Sequence, residues 1–136
     1  MTSSVLDIYT DGGARGNPGP AAIGVVIRNG KRILHEFGKT IGSTTNNVAE
    51  YTAVIEALTY LKNTKSIHTK IIFHIDSTLV VNQLNGIYKI KNSDLRLLIF
   101  TIKNLEQEVG GEITYISIPR EQNARADFLV NSSLDS

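Results

Sequence analysis

Ile71-Ile72-Phe73-His74-Ile75-Asp76 is a short run of β-branched and aromatic residues ended by a carboxylate. A run this short and this apolar reads as a strand covered on both faces, of the kind that a helix-flanked sheet buries. On its N-terminal side the period changes. From Asn46 to Leu61 apolar residues recur at helical spacing (Val48, Tyr51, Ile55, Leu58), with Ala49, Ala53 and Ala57 close by. Earlier still, Val5 to Thr10 alternates apolar and polar residues and ends at Asp11-Gly12-Gly13, a strand running into a turn. Gly16-Asn17-Pro18-Gly19-Pro20 is too dense in turn formers to be helical. Ala21 to Arg28 and Lys31 to Ile41 read as two further strands, joined by Asn29-Gly30 as the residue pair of a tight hairpin turn.

On the C-terminal side, Ser77 to Leu84 reads as a short helix closed by Asn85-Gly86. Asp94 to Glu108 is a longer one, with Leu95, Leu98, Ile102 and Leu105 on one face, and Gly110-Gly111 stops it. Glu112 to Ile118 is a last strand, and Asn123 to Leu134 a terminal helix following Pro119. Three antiparallel strands followed by two strands alternating with helices predict an α/β fold, a mixed five-stranded sheet with helices on its faces. The pattern leaves the strand order open.

The bulk properties bound what this fold can do. A length of 136 residues is that of a single domain, spanning 1–136, with a sizeable core. The chain has no cysteine, which excludes disulfides, thiolate metal sites and cysteine nucleophiles together. Neither a signal-peptide pattern nor an apolar run of membrane-spanning length is present, so the expectation is a cytoplasmic protein without a membrane partner. A net charge of +1 gives no basic surplus. Any affinity for nucleic acid must then come from local patches, backbone amides or bound metal ions.

Four acids stand out, and each has an ordinary structural reading. Asp11 could be a turn aspartate, or a carboxylate at a strand end where Gly12 and Gly13 let a ligand approach the backbone. Asn47-Val48-Ala49-Glu50 matches the spacing of a capping box, in which Glu50 bonds back to the helix start. Against that, Thr45-Asn46-Asn47 offers more polar side chains than one cap requires. Asp76 could be a helix N-cap or its neighbour, or a binding residue at the end of a buried strand. Asp127, about one turn into the last helix, suits the positive end of the helix dipole. The joint placement is more telling than any single residue: strand end, helix start, strand end, helix start. If the first and fourth strands are adjacent and parallel, Asp11 and Asp76 emerge side by side and Glu50 and Asp127 can converge on them. Two unit charges about 4 Å apart repel by about 4 kcal/mol at an effective dielectric near 20, so such a cluster calls for cations. Hard divalent ions such as Mg²⁺ favour an all-oxygen shell of this kind together with substrate phosphate. Metal-assisted phosphodiester chemistry is the expectation.

The chain also resembles type I ribonuclease H, over nearly its whole length. Tyr9-Thr10-Asp11-Gly12-Gly13-Ala14-Arg15-Gly16-Asn17-Pro18-Gly19-Pro20 is similar to that family's opening motif, Thr45-Asn46-Asn47-Val48-Ala49-Glu50-Tyr51 to its second, and Asp76-Ser77 to its third. Arg120-Glu121-Gln122-Asn123-Ala124-Arg125-Ala126-Asp127 is similar to the fourth motif in one branch. The resemblance implies a ribonuclease H-like catalytic domain: an endoribonuclease that hydrolyses the RNA strand of RNA–DNA hybrids with two Mg²⁺ ions, or Mn²⁺ as a substitute, leaving 5′-phosphate and 3′-hydroxyl ends. By that likeness Asp11 bridges both ions and Asp127 serves the ion that activates water. Glu50 and Asp76 serve the leaving-group side. Asn17, Asn46 and Asn47 match positions that contact the hybrid's minor groove, where amides and backbone groups can read 2′-hydroxyls, and Gly12 and Gly13 are expected to bind substrate by letting it approach the backbone closely. Arg15 and Thr45 match phosphate contacts, and monomer is the default oligomeric state.

Three departures accompany the likeness. A histidine that many members carry on a loop before the last acid is replaced here by Ile118-Pro119-Arg120-Glu121, so Arg120 or Glu121 is expected to fill part of its role. The basic helical protrusion of some members is reduced to Lys89, Lys91, Arg96 and Lys103, which also read as ordinary solvated side chains. A glutamine that often follows the third acid is Thr78. The last two predict weak, salt-sensitive binding. Two other readings are a low-activity or non-catalytic accessory protein on the same fold, and a nuclease or phosphotransferase of the wider superfamily with another substrate.

Overall fold

The structure, a computed structural model, describes residues 5–65, 68 and 70–136. Five strands, β1 (Val5–Ala14), β2 (Gly19–Asn29), β3 (Arg32–Thr44), β4 (Lys70–Ile75) and β5 (Glu112–Ser117), form one sheet in the order β3-β2-β1-β4-β5. The first three pair antiparallel, and β4 joins β1, then β5 joins β4, in parallel. Four helices complete the architecture: α1 (Asn46–Thr64), α2 (Thr78–Leu84), α3 (Ser93–Val109) and α4 (Ala124–Asp135). Among the described residues no helix is long and apolar enough to cross a membrane.

The register explains the core. Ile8 pairs with Ile27 on one side and Phe73 on the other, and Phe73 with Tyr115, so one row of side chains crosses four strands on one face. Leu6, Ile23, Val25, Ile71 and Ile75 extend that face. Against it lie Tyr51, Val54, Leu58 and Leu61 of α1 and Ile102 and Leu105 of α3. Each fully buried side chain of this size stabilises the fold by about 1.5–3 kcal/mol. Helix α4 packs on the opposite face, over β2 and β3, with Ala126 and Val130 buried.

Three local readings are corrected. First, β1 does not turn at Asp11. Antiparallel pairing with β2 continues through Asp11–Gly24, Gly12–Ile23, Gly13–Ala22 and Ala14–Ala21, so a ladder holds glycines that local propensity assigns to a turn. Second, Asn29 and Arg32 are the last paired residues of the β2–β3 hairpin, which places Gly30 and Lys31 in its two-residue loop. Gly30 takes φ +62°, matching a turn with glycine first rather than an Asn-Gly turn. Third, β4 is covered on one face only. Ile71, Phe73 and Ile75 are buried, whereas Ile72 and His74 are partly exposed, because α4 sits over β2 and β3. His74 finds other partners there: its ring stacks on Tyr9 at 4.3 Å, and its Nε2 lies 2.8 Å from Asp7. The terminal helix is also preceded by a tighter turn, a 3-10 segment over Arg120–Asn123.

Candidate active site

Parallel pairing of β1 with β4 ends at Thr10 and Ile75, so the next residue on each chain segment, Asp11 and Asp76, emerges at the same edge. Asp11 is buried, at 8% exposure. Glu50 arrives from α1. The capping-box reading of this residue is wrong: Thr45 is the N-cap and accepts from Val48 N at 3.2 Å, which puts Glu50 beyond the reach of the helix start. Its Oε1 instead accepts from the backbone N–H of Gly12 at 3.1 Å. Asp76 likewise leaves capping to its neighbour, since Ser77 Oγ accepts from Val80 N at 3.2 Å. The Asp76 carboxylate accepts from Asn123 Nδ2 at 3.0 Å. Asp127 projects from the first turn of α4, exposed, and its charge bears on the Asp11 carboxyl.

Carboxylate oxygens of Asp11, Glu50 and Asp76 all lie within 4.8 Å of one another. Together with Asp127, Arg120, Arg15 and Asn46 they line an open cavity of about 350 Å³. Burial, then the charges of Asp76 and Asp127, push the Asp11 carboxyl up from 3.8 to about 8. Burial, then Asp11 and Asp76, push Glu50 up from 4.5 to about 9, with the Gly12 N–H and the Arg120 guanidinium working against that rise. An all-oxygen donor set this crowded fits a hard divalent cation, which would replace the protons that hold the cluster together.

This arrangement has a consequence for stability. Between the ordinary values of 3.8 and 4.5 and the folded values near 8 and 9, the native protein keeps protons that the unfolded chain has released. Stability of the metal-free protein therefore falls as pH rises through that window. A divalent cation competes with those protons, so its stabilising effect grows with pH. Thermal melts with and without the cation should show a larger gain in Tm at about pH 8.5 than at about pH 5; equal gains would contradict this reading.

The remaining sequence-derived positions divide between three places. Asn17, Thr45, Asn46 and Asn47 line a second groove of about 400 Å³, together with Asn92 and Asp94 at the start of α3. Two of them are tied to each other and to β1: Asn46 N donates to Asn17 Oδ1 at 3.0 Å, and Asn46 Oδ1 accepts from Ala14 N at 2.8 Å. Arg15, half exposed, donates to Asp135 at 2.5 Å. Arg120 reaches the carboxylate cavity, whereas Glu121 lines a separate cavity with Tyr9, Arg28 and Asn123. In the thin basic set, Lys103 donates to the Leu84 carbonyl at 3.0 Å and lies over the Tyr115 ring, a structural role. Thr78 pairs with Ser117 through their hydroxyls at 3.2 Å. Asn123, which stands in the fourth motif and opens the terminal helix in the sequence, is given no role of its own there; in the structure its side chain makes no capping hydrogen bond.

A sheet in this order, with carboxylates at the adjacent ends of its two central parallel strands, defines the ribonuclease H-like class. Residues 9–133 match the family described as "Reverse transcriptase-like". The chain is 35% identical over 152 residues to the ribonuclease H of Saccharopolyspora erythraea, covering 97% of this chain and 92% of that protein. The bifunctional protein Rv2228c of Mycobacterium tuberculosis is 37% identical over 131 residues, 95% of this chain, which spans only 35% of that longer relative. A crystal structure of LC11-RNase H1 in complex with an RNA/DNA hybrid superposes with a TM-score of 0.90 at 47% identity, covering 96% of both chains. The chain belongs to the type 1 ribonuclease H family, whose members are metal-dependent nucleases.

Proposed function

We propose that this protein is an endoribonuclease that cuts the RNA strand of RNA–DNA hybrids, leaving 5′-phosphate and 3′-hydroxyl ends. The observation that carries the reading is the convergence of Asp11, Glu50 and Asp76 within 4.8 Å, beside a groove lined by amide and hydroxyl side chains that include Asn17, Thr45, Asn46 and Asn47. Asp11, Glu50, Asp76 and Asp127 are assigned to hold two divalent ions, Mg²⁺ by the hardness of the donors and Mn²⁺ as a substitute. When bound, such ions activate water for attack and neutralise charge on the leaving oxygen.

The chain's own groups do the rest. Gly12 and Gly13 line the carboxylate cavity and are assigned to the substrate's approach to the β1 backbone. The Gly12 N–H fixes one Glu50 oxygen and leaves the other toward the cavity. Asn17, Asn46 and Asn47 present amides to the minor groove, where RNA differs from DNA by its 2′-hydroxyls. Arg120 brings a fixed positive charge to a cavity of carboxylates, suited to offset charge as the phosphate reacts or the product leaves. Arg15 is assigned to phosphate once it leaves Asp135.

The deciding experiment is cleavage of a labelled RNA strand annealed to DNA, in Mg²⁺ and in Mn²⁺, beside single-stranded RNA, double-stranded RNA and DNA. Metal-dependent cutting confined to the hybrid's RNA supports the proposal. No cutting by folded protein in either metal would favour the accessory-protein reading instead. A second set of variants separates the two loop candidates: Arg120→Ala is expected to lower kcat roughly 10–100-fold and Glu121→Ala to add little to it. An unaffected turnover rate in the Arg120→Ala, Glu121→Ala double variant removes the role for this loop.

A further inference from the structure

Asn123 occupies the N-cap position of α4, where asparagine is among the strongest capping residues, yet its side chain makes no capping hydrogen bond. It is 1% exposed. Its Nδ2 donates in two other directions, to the Thr10 carbonyl at 2.9 Å and to Asp76 Oδ2 at 3.0 Å. Its Oδ1 is buried without a partner, an arrangement native proteins avoid unless the rest of the group is needed where it is. Thr10 immediately precedes Asp11, Asp76 is itself a carboxylate of the cluster, and Asn123 lies one helical turn before Asp127. One buried amide thus links the end of β1, the end of β4 and the start of α4.

From this geometry we infer that Asn123 is a positioning residue for the metal site: it holds one oxygen of Asp76 and the spacing of β1 from β4, so that the other carboxylate oxygen faces the cation. The inference rests on the proposed ribonuclease H reading, in that it takes the carboxylate cluster to bind divalent ions. Asn123 does not line the carboxylate cavity itself. It acts by restricting where Asp76 can point, and a carboxylate held by such a partner needs less reordering when the ion arrives.

The test measures cation binding directly. Mg²⁺ and Mn²⁺ are titrated calorimetrically into the wild type, Asn123→Ala, and Asn123→Leu, which keeps the packing volume without the donor. A core variant distant from the site, Leu105→Ala, controls for lost stability. Both Asn123 variants are expected to bind the ions roughly 10-fold more weakly. They should also need a correspondingly higher Mg²⁺ concentration for half-maximal cleavage of hybrid, with kcat recovering at saturating Mg²⁺ and KM for hybrid unchanged. Leu105→Ala should show none of these shifts. Wild-type cation affinity in either folded Asn123 variant, or a kcat that excess Mg²⁺ does not restore, would overturn the inference and leave Asn123 a structural residue. Absence of cation binding by the wild type itself would instead overturn the ribonuclease H reading on which the inference stands.

Discussion

Asp11→Asn is expected to abolish cleavage of hybrids while raising the melting temperature of the metal-free protein. Asp11 is buried and neighbours the other three acids: Asp76 and Asp127 by charge, Glu50 by charge and by sharing the Gly12 backbone. An amide of the same shape keeps the packing but removes the charge that the cation needs. The loss in kcat is expected to be roughly a thousandfold or more, since the assigned ions serve both the attacking and the leaving oxygen. The same change relieves a cluster in which burial and like charges push two carboxyls up to about 8 and about 9. The variant should gain on the order of 2 kcal/mol near pH 8, several degrees in Tm, and lose the extra stabilisation that divalent ions give the wild type. Activity assays and melts in chelator and in Mg²⁺ check both halves. A variant that cuts hybrid at the wild-type rate, or melts lower than the wild type in chelator, contradicts the assignment of Asp11 to the metal cluster.

Gly12→Ala is expected to be the most damaging single methyl group that can be added near the site. A Cβ there would lie 2.2 Å from the Ala49 carbonyl oxygen and 2.6 Å from the Glu50 nitrogen, both backbone atoms of α1 that no rotamer change can move. The strand and the helix would have to part, at a cost of about 3 kcal/mol or more, and the Gly12 N–H would lose its bond to Glu50. Gly13→Ala is the natural control, because its Cβ would meet only a Val130 methyl at 3.6 Å, an ordinary contact. Denaturant melts of the two variants should differ by at least about 2 kcal/mol. Equal stabilities would mean that α1 does not rest directly on β1.

The difference between these glycines marks the limit of sequence reading. In the sequence Gly12 and Gly13 are alike, two turn formers after an aspartate. Only the position of α1 across the sheet makes the first indispensable and the second ordinary. Glu50 shows the same limit from the other side. Its spacing from Asn47 satisfies a capping box, and the helix could have begun there. Thr45 caps instead, three residues before Val48, and the glutamate is released to the site. The spare polar side chains of Thr45-Asn46-Asn47 were the sequence's clue: one caps, one ties β1 through Ala14, and one stays in the groove.

Local patterns by themselves determined the α/β class and the number and kind of the main elements, because periodicity and turn chemistry act over a few residues and need no knowledge of neighbours; the four acids stand out only by their joint placement and by the motifs that carry the family likeness. Tertiary structure decided what no local pattern encodes. It set the order β3-β2-β1-β4-β5, which brings Asp11 and Asp76 to one edge from opposite ends of a 65-residue separation. It left one face of β4 without a helix, separated Arg120 from the adjacent Glu121, and turned Asn123 from a helix cap into a link between strand ends. Each of these outcomes depends on which surfaces come within a few ångströms of one another after the chain has closed its core, and a side chain's partners are fixed only then.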